Sequence, residues 1–177
     1  MRFELGDCIE NGTIERINQS TTRATELFEN FFDKDSELFI LVYDFNFNKV
    51  SYLDEILSSE SIKNEQYCDS LTLKSFTNPP KIEKVNQKLN IYFTKRININ
   101  YLKIFTGIAN YEMGFTPIIE QSVYFFEPKT KKWFWMYDDR GCLLCSQQIS
   151  YLNPTFKKFE KWLVKSEKEE MIKQFNL

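Results

Sequence analysis

Residues 107–115 read GIANYEMGF and residues 123–146 read VYFFEPKTKKWFWMYDDRGCLLCS. Together they decide the fold. The first string closes a helical pattern in which Tyr101, Leu102, Phe105, Ile108 and Ala109 make one apolar stripe. Asn98 or Asn100 suits its N-cap, and Gly114 suits a left-handed C-terminal stop. The second string is a run of strands. Val123 to Glu127 and Trp133 to Tyr137 flank the turn PKTKK, and Asp139, Arg140 and Gly141 turn the chain again into Cys142 to Ser146. A helix feeding a three-stranded meander follows.

Working outward, Thr13 to Phe32 reads as a first helix whose stripe holds Ile14, Ile17, Ala24, Leu27, Phe28 and Phe31. Leu38 to Asp44 is apolar at successive positions, which predicts a central strand covered on both faces. The stretch 46–87 is polar and reads as irregular, a flexible loop region. It holds a short helix near Asp54 to Leu57, a strand near Leu71 to Phe76 and a break at Asn78, Pro79 and Pro80. Leu89, Ile91 and Phe93 alternate with polar residues, which predicts that they form the buried face of a strand. Asn153 and Pro154 open a C-terminal helix with Asn153 as cap and Phe156, Phe159, Trp162 and Leu163 as its face. Ser166 and Glu169 suit a capping box for a last short helix carrying Met171, Ile172 and Phe175.

The expected architecture is α+β: an antiparallel or mixed sheet with a β-meander in the C-terminal half, packed against an N-terminal, a middle and a C-terminal helix. A single domain over residues 1–177 is expected, since a chain of this length buries roughly two-thirds of its unfolded surface. The four cysteines are too few and scattered for a disulfide framework, no apolar run reaches membrane-spanning length, and MRFELGDC does not read as a signal peptide. A cytoplasmic protein with no membrane association is the expectation. There is no histidine, which excludes Ser-His-Asp and Cys-His pairs, His-ligated metals and an imidazole base. A net charge of −2 argues against nucleic acid as partner.

Chemistry concentrates in the meander. Asp138, Asp139 and Arg140 sit where a strand turns. They read either as a turn whose carboxylates bond their own backbone, or as a grip on a metal, a phosphate or a partner's side chain. Glu112 falls in the last turn of its helix, where the macrodipole disfavours a negative charge by roughly 0.3–1 kcal/mol. An ion pair with Arg140, stapling helix to meander, is the expected compensation. Cys142 and Cys145 lie in a strand and point to opposite faces, so they read as two small buried hydrophobes rather than as a redox or zinc pair. Tyr124, Phe125, Phe126, Trp133, Phe134, Trp135 and Tyr137 make both faces of the hairpin apolar. Either helices cover both, or one face meets a partner.

NGTIERINQSTTRATELFENFF (11–32), FILVYDF (39–45), GIANYEMGFTPIIEQSVYFFEP (107–128) and MYDDRGC (136–142) resemble a family of small Firmicute proteins. That family is catalogued as a domain of unknown function, DUF3885. The resemblance implies no catalytic residues. It implies a size and setting like those of immunity proteins that accompany secreted toxins.

The function expected is a non-enzymatic protein-binding protein, an immunity protein whose partner is another protein, a secreted toxin domain. Neither cofactor nor metal is expected. Its candidate partner-binding residues are Glu112, Trp133, Trp135, Tyr137, Asp138, Asp139 and Arg140. The alternative is a metal- or acid-dependent hydrolase or transferase built on Glu112, Asp138, Asp139 and Arg140.

Overall fold

The computed structural model describes residues 1–44, 51–58, 62–74 and 82–174. The strands are β1 (Arg2–Glu4), β2 (Glu37–Asp44), β3 (Lys63–Lys74), β4 (Ile82–Lys95), β5 (Ser122–Glu127), β6 (Lys132–Asp138) and β7 (Gly141–Ser146). The helices are α1 (Ile14–Phe31), α2 (Tyr52–Leu57), α3 (Tyr101–Met113), α4 (Asn153–Phe159) and α5 (Lys165–Gln174). The described strands form one sheet in the order β1-β7-β6-β5-β2-β4-β3, and every neighbouring pair is antiparallel. The fold is α+β, with the expected meander as β5–β6–β7.

The helices that build the core form where their caps dictate. The Thr13 hydroxyl accepts from the Arg16 amide at the start of α1. Asn100 accepts from the Lys103 amide at the start of α3, and Gly114, at φ 74°, ends it in the left-handed region. Both helices lie on the same face of the sheet, with Phe28 between them. Its ring meets Phe105 and Tyr101 of α3, Phe125 of β5 and Phe134 of β6 at centroid separations of 4.8–5.4 Å. Leu38, Ile40, Val42, Val123, Met136, Cys142 and Leu144 complete that inner face. Ile14 and Leu102, assigned to the apolar stripes, turn away to solvent.

Several expectations change. The region 46–87 is not irregular throughout: β3 and β4 form a long hairpin whose backbones pair from Lys63 opposite Phe93 to Lys74 opposite Ile82. Polar composition hid it, because the ladder is held by main-chain bonds. The break at Asn78 to Pro80, Phe76 and Phe175 lie outside the described residues. β2 is central, but its two sides differ: Leu38, Ile40, Val42 and Asp44 are buried, while Phe39, Leu41 and Tyr43 stay partly exposed. The face of β4 is the reverse of the one expected. Asn90, Tyr92 and Thr94 are buried, and Leu89, Ile91 and Phe93 face outward. At the C-terminal end, Asn153 is the first residue of α4 and not its cap. Ser166 lies inside α5.

Two of the three polar side chains on the inner face of β4 have partners there. Asn98 donates to the Thr94 hydroxyl at 3.2 Å, and the Tyr92 phenol bonds Asp54 in the capping box that Ser51 and Asp54 form at the start of α2. Burial, then the Asp54 carboxylate, pushes the Tyr92 phenol up to about 12 from an ordinary 10.

Two predictions follow from this core. Phe28→Ala removes the ring that joins both helices to the sheet and should lower unfolding free energy in urea by about 3–5 kcal/mol. Because the folded state holds the Tyr92 proton to a higher pH than the unfolded chain does, Tyr92 stabilises the fold fully below pH 10 and loses that contribution between pH 10 and about 12. Denaturation of Tyr92→Phe across that window should fall less steeply with pH than the parent.

Candidate functional site

Two neighbourhoods hold the residues expected to act, one at an end of the sheet and one on its outer face. The first is the β6–β7 turn. Asp138 is buried, and its carboxylate accepts from the Arg140 amide and the Arg140 Nε, each at 2.8 Å, with Arg140 Nη2 also bonded to it. Asp139, 1% exposed, is ion-paired with the Arg16 Nε of α1. Arg16 Nη1 also donates to the carbonyls of Gly6 and Ile9 at 2.9 and 2.7 Å. One guanidinium therefore ties α1, the β1–α1 loop and the meander turn together. The turn's geometry requires glycine at position 141. A Cβ there would sit 2.7 Å from the Phe3 carbonyl and collide with the Tyr137 hydroxyl.

Glu112 is exposed at the end of α3 and does not pair with Arg140. Arg140 has a nearer carboxylate, two residues back in its own turn, and that local bond takes its guanidinium. Glu112, Asp139 and Arg140 nevertheless border one open groove of about 350 Å³ beside Asn11 and Gly12. Asp138 and Asp139 each already accept from an arginine, so among the described residues bordering the groove Glu112 is the one uncommitted carboxylate. The CxxC pair splits as its strand periodicity requires. Cys142 is buried, which pushes its thiol well above the ordinary value, and Cys145 is exposed, contrary to the expectation of two buried thiols.

The second neighbourhood is the outer face of the sheet. Strand alternation carries a row across four strands, Phe93, Phe39, Phe126 and Trp133, each directly opposite the next. A second row runs Ile91, Leu41, Tyr124, Trp135 and Leu143. Tyr137 extends the surface beside Trp135, their rings 5.6 Å apart. Phe126 and Trp133 stack at 4.2 Å and 26°, Tyr124 and Trp135 at 5.1 Å and 30°. In these two pairs each ring gives one of its faces to its neighbour. None of α1–α4 lies over these rows; Trp133 is 38% exposed and the others are partly exposed.

Of the seven residues expected to meet a partner, Trp133, Trp135 and Tyr137 therefore share the outer face. Glu112 and Arg140 border the groove at one end of the sheet, and Asp138 and Asp139 are structural. Phe39, Phe93, Phe126 and Tyr124 belong with the tryptophans and were not singled out as anchors. The signal for Phe39 and Phe93 was the alternate apolar residues Phe39, Leu41 and Tyr43 of β2 and Leu89, Ile91 and Phe93 of β4, which read instead as core.

Residues 1–167 match the family described as Domain of unknown function (DUF3885), and the chain belongs to that family. No curated protein and no solved structure matches it. Among the described residues no helix is long and apolar enough to cross a membrane.

Arg16→Ala leaves the buried Asp139 carboxylate uncompensated and should cost about 3–5 kcal/mol in chemical denaturation. Arg140→Ala, at a side chain 70% exposed, should cost no more than about 1 kcal/mol.

Proposed function

We propose that this member of the family is a non-enzymatic protein-binding protein that docks its partner on the outer face of the sheet, with Trp133, Trp135 and Tyr137 as anchors. One observation carries the reading. The helices bury one face of the sheet, while the other keeps two rows of aromatic and aliphatic side chains in contact with solvent. Extended apolar surfaces of this kind mark interaction sites, and tryptophan and tyrosine dominate binding energy where they occur. The stacking of Phe126 on Trp133 and of Tyr124 on Trp135 takes up ring faces on which a nucleobase or a sugar would lie flat, which favours a protein partner.

The specific form we propose is an immunity protein that neutralises a cognate secreted toxin. This form rests on the resemblance to toxin-associated immunity proteins. It is consistent with the commitment of Asp138 and Asp139 to structure, which leaves little from which to assemble a hydrolase or transferase. Glu112 and Arg140 contribute a charged margin near one end of the docking face.

The test is binding of the protein encoded beside this chain's gene, measured by titration calorimetry. Trp135→Ala and Trp133→Ala should each weaken binding at least tenfold, while Glu112→Gln changes it less than threefold. Unchanged affinity in both tryptophan variants, with native circular dichroism, would refute docking on this face.

A further inference from the structure

We propose that the outer face takes a short acidic segment of a partner protein, which seats two apolar side chains in two hollows and sets a carboxylate beside the lysine of each. This inference rests on the reading that the outer face is a docking surface, and it names the chemistry of what docks there.

The hollows lie along one row. The row begins at Lys63 of β3 and runs through Phe93, Phe39, Phe126 and Trp133 to Cys145 of β7, each residue directly opposite the next. On the β4 side, Phe39, Lys63, Ile91 and Phe93 enclose a hollow of about 250 Å³. On the β6 side, Phe126, Lys131, Trp133, Cys145, Ser146 and Gln147 line one of about 440 Å³. Between them stand Phe39 and Phe126, their rings stacked at 6.4 Å and 19°. Each hollow is thus walled by aromatic rings and holds one lysine.

Those two ammonium groups decide the chemistry of the partner. Lys63 and Lys131 are exposed and have no ion pair among the described residues. Glu127 pairs with Lys132, and Glu37 stands opposite Lys95 in the ladder. Among the described residues no carboxylate lines either hollow. Covering an ammonium with an apolar side chain strips its water, and a carboxylate brought in alongside offsets that cost. The conformation of Lys131 points the same way. It stands at φ 55°, in the left-handed region where glycine or asparagine is the ordinary occupant. Its ammonium lies 5.8 Å from the centroid of the Phe126 ring. Strain of this kind collects at positions whose side chain acts on a ligand.

The spacing sets the length of the segment. From β4 to β6 is three strand spacings, or about 14 Å. An extended chain covers that distance in about four residues, which leaves both anchors on the same side of it. The apolar face is also the size of a segment. Five strands about 4.8 Å apart, each giving about five residues at 3.4 Å, project to roughly 400 Å², about half of what one partner gives to a standard interface. Lysines beside rings also suit a nucleic acid strand, but Phe126 and Trp133 already share the faces on which bases would stack.

The experiment titrates a synthetic peptide into isotopically labelled protein and follows the three tryptophan indole resonances. The probe carries two leucines about four positions apart, each flanked by glutamates, and its twin has lysines in place of the glutamates. The acidic probe should shift the Trp133 resonance and leave that of Trp162, which packs on Phe159, unmoved. It should bind at least tenfold more tightly than the twin at low salt. Lys63→Glu combined with Lys131→Glu should reverse that preference. Lys131→Gly relieves the left-handed turn, so it should unfold at a higher temperature yet bind the acidic probe at least threefold more weakly. Undiminished binding in Lys131→Gly overturns the match of two lysines to two carboxylates. Equal affinity for the two peptides, or a preference that the double variant leaves in place, overturns the acidic segment. So does the absence of binding by either peptide at millimolar concentration, and so does oligothymidylate binding more tightly than the acidic probe at the same salt. The docking face itself stands or falls separately, on whether Trp133→Ala and Trp135→Ala weaken binding of the neighbouring gene's product.

Discussion

The rest of the structure depends on the insertion of Phe28 between α3 and the meander. Its ring touches rings from α3, β5 and β6 at once, so the two long helices are held on one side of the sheet by the same contacts that close the core. Burying such a ring contributes a few kcal/mol through area alone, and edge-to-face contacts add to that. A sheet covered on one face needs only one apolar side per strand. On β2, β5 and β6 this chain supplies two, and that surplus is the fact from which the functional reading grows.

The polar chemistry at the β6–β7 turn serves the same architecture. Arg16 reaches from α1 to Asp139 and to two loop carbonyls, while Asp138 folds Arg140 back onto its own turn. Removing either partner of the buried pair strands a charge, so the pair is strongly needed once present, even though an apolar replacement of both partners need not be destabilising. Two adjacent acids followed by arginine and glycine look like a site when read as a string. In three dimensions each acid has a different arginine, and the glycine is there because the Phe3 carbonyl and Tyr137 leave no room for a Cβ.

How much was legible follows from the kind of signal each element carries. α1 and α3 announce themselves by stripe and cap, since Thr13, Asn100 and Gly114 act within a few residues of where they stand. The meander is legible because its turns are rich in turn formers and its strands in aromatics. β1 is too short to leave a pattern, and β3 hides in polar composition because its ladder is made by the backbone. The error at β4 is more instructive. Alternation reveals that Leu89, Ile91 and Phe93 share a face; it does not say which face meets the helices. The inner side of β4 is instead furnished with Asn90, Tyr92 and Thr94; Asp54 makes Tyr92 tolerable there and Asn98 does so for Thr94. The expected pairing of Glu112 with Arg140 failed for a related reason: a partner two residues away in a turn outcompetes one that must be brought across from another element.

The same inversion ties the fold to its surface. Had β4 turned its apolar residues inward, the outer face would end at β2 with Phe39, a modest patch of the sort monomers commonly show. With Ile91 and Phe93 outward, the rows extend across β4, β2, β5 and β6 and reach β7 at Leu143. Placing Asn90 and Thr94 inside and Phe93 outside is a poor choice for a chain that stays alone in water. It is an economical one if the outer rows spend their time against another protein surface, because Tyr92 and Thr94 are bonded within the fold and the apolar residues are shielded on association. The arrangement of β4 therefore argues for an occupied outer face independently of the tryptophans.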